Sequence, residues 1–138
     1  MLDTIKNIVS KIDGLNFVYG DLFQQNIEIH NVKVPIFFLY PLRYRVTNSE
    51  INYTVRLRIL GNSEFAENSK MSVEVIHEMQ DYFFKFWKLL NIPENFEQLT
   101  NIGDANITDI PITLDYDVPL SGLECIFTLT TNNTNAIC

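Results

Sequence analysis

Between Ile51 and Leu60 the chain alternates apolar and polar residues with a period of two, the pattern of a half-buried β-strand. Ile51, Tyr53, Val55, Leu57 and Ile59 share one face, and Asn52, Thr54, Arg56 and Arg58 share the other. A polar connection, Gly61 to Asn68, leads into a segment of helical period from Ser69 to Leu90. Val75, Ile76, Met79, Tyr82, Phe83, Phe86, Trp87 and Leu90 recur there at spacings of three and four, which puts them on one broad helix face. Glu74, His77, Glu78, Asp81, Lys85 and Lys88 fall mostly on the other face, with early acids and late lysines placed to suit the helix dipole. Pro93 lies just past the end, where proline no longer interrupts a helix. Alternation returns between Ile110 and Thr131. A sheet with a helix on it accounts for most of the chain, which directs the functional question towards assembly.

The flanking segments fit that plan. Leu2, Ile5, Ile8, Val9 and Ile12 give a short amphipathic helix, ended by Asp13-Gly14 where left-handed dihedrals are cheap. Leu15 to Tyr19 suits a short strand. Gly20 to Asn31 has only weak alternation and suits a loop or edge strand. Val34 to Val46 is strand-like, and Pro41 inside it calls for an edge or a bulge, because proline cannot donate to a ladder. Thr47-Asn48-Ser49-Glu50 is turn chemistry. A symmetric four-residue turn pairs Val46 with Ile51, Tyr44 with Tyr53 and Leu42 with Val55, all apolar. By the same parity Phe38, Tyr40, Tyr44 and Tyr53 belong to the apolar face. Arg43, Arg45, Arg56 and Arg58 gather on the opposite face with Phe37 and Leu39. Asn91 to Ala105 reads as a polar loop anchored by Phe96 and Leu99. In the closing hairpin, Ile110, Ile112, Leu114, Tyr116 and Val118 alternate. Pro119-Leu120-Ser121-Gly122 turns the chain, and Leu123, Cys125, Phe127 and Leu129 return.

At 138 residues the chain has the length of one domain, one that buries roughly two thirds of its unfolded surface without staples. We expect a single α+β domain over residues 1–131: one mixed or antiparallel sheet with one long and one short helix packed on one face. Residues 132–138 form a polar, frayed tail. The expected core comprises Ile5, Ile8, Tyr53, Val55, Leu57, Ile76, Met79, Phe83, Phe86, Trp87, Ile112, Leu114, Cys125 and Phe127. A net charge of −7 opposes non-specific attraction to nucleic acid or anionic membranes. No stretch approaches the ~18 apolar residues of a membrane helix. The first residues, Met1-Leu2-Asp3-Thr4-Ile5-Lys6, lack the cationic-then-apolar pattern of a secretory signal. The three Asn-X-Ser/Thr sequons at Asn52, Asn106 and Asn132 are then chance matches. Cys125 and Cys138 are too few for a disulfide framework, and Cys125 reads as a buried free thiol in a reducing compartment.

Candidate chemistry is sparse. Glu74-x-x-His77 is half of a di-iron carboxylate motif, but no second copy exists. His77-Glu78-Met79-Gln80-Asp81 resembles the start of a zinc-protease helix, with Asp81 where the second histidine must stand. The solvated face of a surface helix explains both. His30 has no motif around it, Gly-x-Ser-x-Gly is absent, and five glycines are spaced too widely for a phosphate cradle. No catalytic residue, metal or cofactor is expected. Aromatics interleaved with arginine on a sheet can stack single-stranded nucleic acid, but the parity above separates most of them from the arginines.

The arginine face has a counterpart. The non-core face of the closing hairpin carries Thr113, Asp115, Asp117 and Glu124. An arginine-rich and an acid-rich face are complementary, either within one sheet or head to tail between subunits, the contact that generates rings. Arg43, Arg45, Arg56, Arg58, Asp115, Asp117 and Glu124 are therefore the candidate interface residues.

The order of elements is similar to that of the tail-terminator and tail-completion proteins of tailed bacteriophages, and of related neck or connector ring proteins. It comprises an N-terminal helix, a Pro-led apolar strand (Val34-Pro35-Ile36-Phe37-Phe38), strand Ile51–Leu60, a long helix and a closing hairpin. Asp115-Tyr116-Asp117-Val118-Pro119-Leu120-Ser121-Gly122-Leu123 has the character of the hairpin turn in those families. The resemblance spans about Leu2 to Thr131 and rests on pattern. It implies a non-enzymatic virion protein, assembled in the host cytoplasm as a homo-oligomeric ring at the head–tail junction. Its partners would be other neck and tail proteins, with DNA passing through the lumen without sequence-specific binding. A small-ligand-binding or enzymatic α+β domain is the first alternative, and it requires a polar pocket between helix and sheet near Tyr53, Tyr82 or His77. A different cytoplasmic adaptor is the second.

Overall fold

A computed structural model describes residues 2–20, 34–62, 69–95, 99–113 and 120–133. The protein is α+β. Helix α1 (Leu2–Ser10) is followed by strands β1 (Asn16–Tyr19), β2 (Ile36–Val46) and β3 (Glu50–Asn62). Helix α2 (Ser69–Leu90), a 3-10 turn (Pro93–Asn95) and strands β4 (Leu99–Ile102), β5 (Asn106–Thr113) and β6 (Leu120–Asn132) complete it. Among the described residues the six strands make one mixed sheet of order β1-β2-β3-β6-β4, with β5 also paired to β6. β1 runs parallel to β2, and every other pair is antiparallel.

Both helices cover the same face of the sheet, as the amphipathic patterns require. Ile5, Ile8, Val9 and Ile12 from the α1 region and Met79, Phe83, Phe86 and Leu90 of α2 form one cluster with Val55, Leu57, Ile59, Leu123, Cys125 and Phe127. Each fully buried large side chain of this kind contributes about 2–3 kcal/mol of apolar transfer energy. Tyr53 and Trp87 pack at the rim, partly exposed. The expected core residues Ile112 and Leu114, like His30, Phe96 and Cys138, lie outside what is described of the side chains. Gly14 has φ +81°, the left-handed geometry that ends the first helical segment. The close of α2 is also polar-capped: the Trp87 carbonyl accepts from the Asn91 backbone N–H at 3.2 Å and from Asn91 Nδ2 at 2.7 Å. The first turn of α2 carries no acid, so of the expected dipole pattern only Lys88 in the last turn remains.

Four local expectations are corrected. First, Leu42 does not pair with Val55. Val46 faces Ile51 and Tyr44 faces Tyr53, but the register then shifts between Pro41 and Arg43, and Pro41 faces Val55. One extra residue on a strand reverses the facing of everything beyond it. Phe37 and Leu39 therefore join the helix-side core, whereas Phe38 and Tyr40 lie opposite Arg58 and Arg56 on the back of the sheet. Second, the segment from Asn91 to Ala105, whose composition suits a polar loop, contains β4, held by pairing of Leu99, Asn101 and Ile102 with Thr131, Thr130 and Leu129. Third, β5 begins at Asn106, and Ile110, opposite Gly122, packs on the back-face cluster. Fourth, Asn133, assigned to the frayed tail, donates its backbone N–H to Ser49 and its Nδ2 to the Thr47 carbonyl, which pins the β2–β3 turn to the end of β6.

Candidate functional site

The back face of the sheet is not a plain solvated surface. Val18, Ile36, Phe38, Leu60 and Leu120 are buried there as a second apolar cluster. Arg58 stands beside it with 9% of its surface exposed. Strand register places Arg56 opposite Ile126 and Arg58 opposite Glu124. Arg56 Nε lies 2.7 Å from Glu124 Oε1, and Arg58 Nη2 lies 3.6 Å from Glu124 Oε2. The Arg56 Nε–H is not aligned on the oxygen, so at this distance the contact is an ion pair and not a well-formed hydrogen bond. The Arg56 guanidinium also sits 5.9 Å from the centre of the Tyr40 ring, a cation–π contact that exists because the bulge turned Tyr40 to this side.

Of the seven candidate interface residues, the structure thus brings Arg56, Arg58 and Glu124 together within one chain. They secure β3 against β6, and their charges are used inside the sheet. With Glu124 and Tyr40 already engaged, Arg56 is also poorly placed to stack a nucleic-acid base. Asp115 and Asp117 lie outside the described residues. Arg43 and Arg45 sit on the same face, opposite Thr54 and Asn52, but farther along the hairpin and exposed. Among the described residues no carboxylate forms an ion pair with either of them.

Truncating the shared carboxylate tests this arrangement. Glu124→Ala is expected to lower unfolding free energy by about 2 kcal/mol, because two partly buried guanidiniums lose their common anion. Urea titration measures it. A midpoint unchanged at moderate salt would mean that the two ion pairs contribute nothing.

The end of β2 shows a feature that sequence parity did not single out. β1 pairs with Ile36 to Leu39 of β2, so among the described strands the stretch from Leu42 to Val46 is a sheet edge. On its helix side Tyr44 is 69% and Val46 55% exposed, and Leu42 at the bulge is also exposed. The Tyr44 and Tyr53 rings lie 6.1 Å apart, so this apolar strip borders the core at Tyr53. The sequence signal was present in the apolar residues at 42, 44 and 46. What was missing was that no described element covers this end.

Glu74 and His77 are exposed on α2, and among the described residues no three of His, Cys, Asp and Glu converge as metal ligands. A cleft of about 360 Å³ lies beside the C-terminal end of α2, lined by Leu90, Asn91, Pro93, Leu99, Thr100, Asn101 and Ile102. None of Tyr53, Tyr82 and His77 lines it. Burial pushes the Cys125 thiol up to about 12, which keeps it protonated and unreactive at neutral pH. Among the described residues no helix is long and apolar enough to cross a membrane. No protein-family model matches this chain, and no curated protein matches it either.

Proposed function

We propose that the protein is a structural subunit of a tailed-bacteriophage virion that assembles as a homo-oligomeric ring at the head–tail junction, as a tail terminator or connector. One observation carries the reading. The β2–β3 hairpin ends in an exposed sheet edge, apolar on one side through Tyr44 and Val46 and cationic on the other through Arg43 and Arg45. Large apolar side chains on an open edge invite unwanted pairing unless a partner covers them. The order of elements that resembles the phage families supplies the context, and the apolar filling between helices and sheet favours a scaffold over a ligand-binding domain.

In this role the chain contacts other copies of itself and neighbouring neck or tail proteins, and it needs no cofactor and no membrane. Its net charge of −7 suits a lumen through which DNA slides without tight binding. It would be made in the host bacterial cytoplasm and end in the virion. The test is mass by light scattering over rising protein concentration, with negative-stain electron microscopy of the same samples. The expected result is an oligomer of one size with a central hole. A monomer at every concentration would overturn the reading.

A further inference from the structure

Resting on that ring reading, we infer that the sheet continues from copy to copy. The outer edge of β2, residues 42–46, would pair antiparallel with the outer edge of β5, residues 106–109, of a neighbouring copy of this chain. Among the described strands, β2 beyond Leu39 has no outer partner and β5 pairs only with β6, so both edges are unpaired there. Asn106, Ile107, Thr108 and Asp109 are all exposed.

The two edges match face by face. Tyr44 and Val46 share the helix side of the sheet with Tyr53 and Val55. Ile107 lies opposite the buried Cys125, so it too points to the helix side, where it is 42% exposed. Joining the edges lays Ile107 against Tyr44 or Val46 and covers apolar surface on both copies. On the back face, Arg43 and Arg45 meet Asn106 and Thr108, which are neutral and polar.

Strand direction supports the same joint. β2, β3, β6 and β5 alternate in direction, so β2 and β5 point opposite ways. A copy rotated about an axis along the strands therefore presents its β2 antiparallel to this β5, and the up-down alternation continues unbroken. The contact uses two different surfaces, which is the head-to-tail geometry that closes a ring. Charge distinguishes it from symmetric pairing of two β2 edges, which would set Arg43 and Arg45 against their own copies. The β5 edge is of opposite sign, with Asp104 just before it and Asp109 on its helix side, where Asp109 Oδ1 accepts from Gln80 Nε2 at 3.1 Å; among the described residues neither carboxylate has an ion-pair partner.

Disulfide trapping tests the joint in the full chain with Cys138→Ser, where the remaining Cys125 is buried. Tyr44→Cys and Val46→Cys are each combined with Ile107→Cys and Asp109→Cys, four double variants that sample the possible registers. All four positions are exposed, so folding is not at risk. After oxidation, at least one double variant is expected to give a reducible ladder of linked multimers, and every single-cysteine variant should stay unlinked. Dimers from Tyr44→Cys or Val46→Cys alone would overturn the proposal in favour of symmetric β2 pairing. Rings in the microscope without a ladder from any double variant would overturn the joint and leave the ring reading standing. Absence of any oligomer would overturn both. As an independent arm, Arg43→Glu with Arg45→Glu should raise the concentration for half-assembly at least tenfold with an unchanged circular dichroism spectrum. An unchanged assembly concentration would count against the edge.

Discussion

Gly122→Ala is expected to abolish the stable fold. A β-carbon at this position would lie 1.9 Å from the Ile59 carbonyl oxygen, 3.0 Å from the Ile59 carbonyl carbon and 3.1 Å from the Leu60 Cα. All three are backbone atoms of β3, so no side-chain rotation relieves the overlap. β3 cannot retreat either, because it is laddered to β2 on one side and to β6 on the other. Gly122 itself is fixed between Leu60 of β3 and Ile110 of β5. The close approach lets β3, β6 and β5 pack tightly, and only glycine permits it. Overpacking a core normally costs 1–3 kcal/mol, and here at least about 3 kcal/mol is expected because the obstacle is main chain. Gly14→Ala is the control. It strains a residue at φ +81° but meets only the end of the Tyr82 side chain at 3.3 Å, so about 1 kcal/mol is expected. Urea midpoints and the circular dichroism of both variants check the pair. A Gly122→Ala protein as stable as Gly14→Ala would mean that Gly122 does not face Leu60, and the β3–β6 register would fall with it.

The elements that were legible in the sequence are those whose own period declares them. α2 spans Ser69–Leu90 as its three-and-four spacing requires, and β3 follows its alternation. The turn at Thr47 to Glu50 holds because Thr47 Oγ1 accepts from the Glu50 N–H at 3.0 Å and the Thr47 N–H donates to the Glu50 carbonyl at 2.8 Å. The position of the bulge was not legible. Pro41 signals that the ladder is irregular there, but nothing local says which neighbour becomes the extra residue. That one residue decided whether Tyr40 and Phe38 lie with the core or with the arginines. β4 was invisible for another reason. Leu99-Thr100-Asn101-Ile102 has no strong strand pattern of its own, and it is a strand only because β6 extends far enough to pair with it. The candidate site divides in the same way. Alternation turns Arg56 and Arg58 of one hairpin and Glu124 of the other away from the core, yet a pattern of signs does not distinguish an ion pair inside the sheet from one between copies. Their spacing across β3 and β6 makes that decision, and it turns attention to Arg43 and Arg45 at the hairpin end, which have no ion-pair partner among the described residues. For the same reason Arg56→Glu would test folding, since it places two carboxylates side by side, whereas Arg43 and Arg45 test assembly.

Phe86→Ala is expected to cost about 4 kcal/mol, and the adjacent Phe84→Ala less than about 0.5 kcal/mol. Phe86 is fully buried, its ring 4.9 Å from Phe37 of β2 and 6.4 Å from Phe127 of β6. Phe37 is stacked in turn on Phe17 of β1 at 5.9 Å, and Phe127 meets Trp87 of α2 edge-on at 5.4 Å. Deleting the Phe86 ring removes the piece that touches both strands at once. The rings around it are held by separate elements, so the space collapses poorly and the cost stays near the upper part of the range for such deletions. Phe84 is two positions earlier in the same helix and 62% exposed, its ring 5.8 Å from that of Phe83 in an edge-on arrangement. Two identical truncations two residues apart thus differ several-fold because a 3.6-residue period turns one inward and the other out. Thermal and urea unfolding of both variants measure the contrast. Comparable losses would mean that α2 is rotated about its axis. In that case Met79, Phe83 and Leu90 would not form the core with Val55, Leu57 and Phe127 that holds α2 on the sheet.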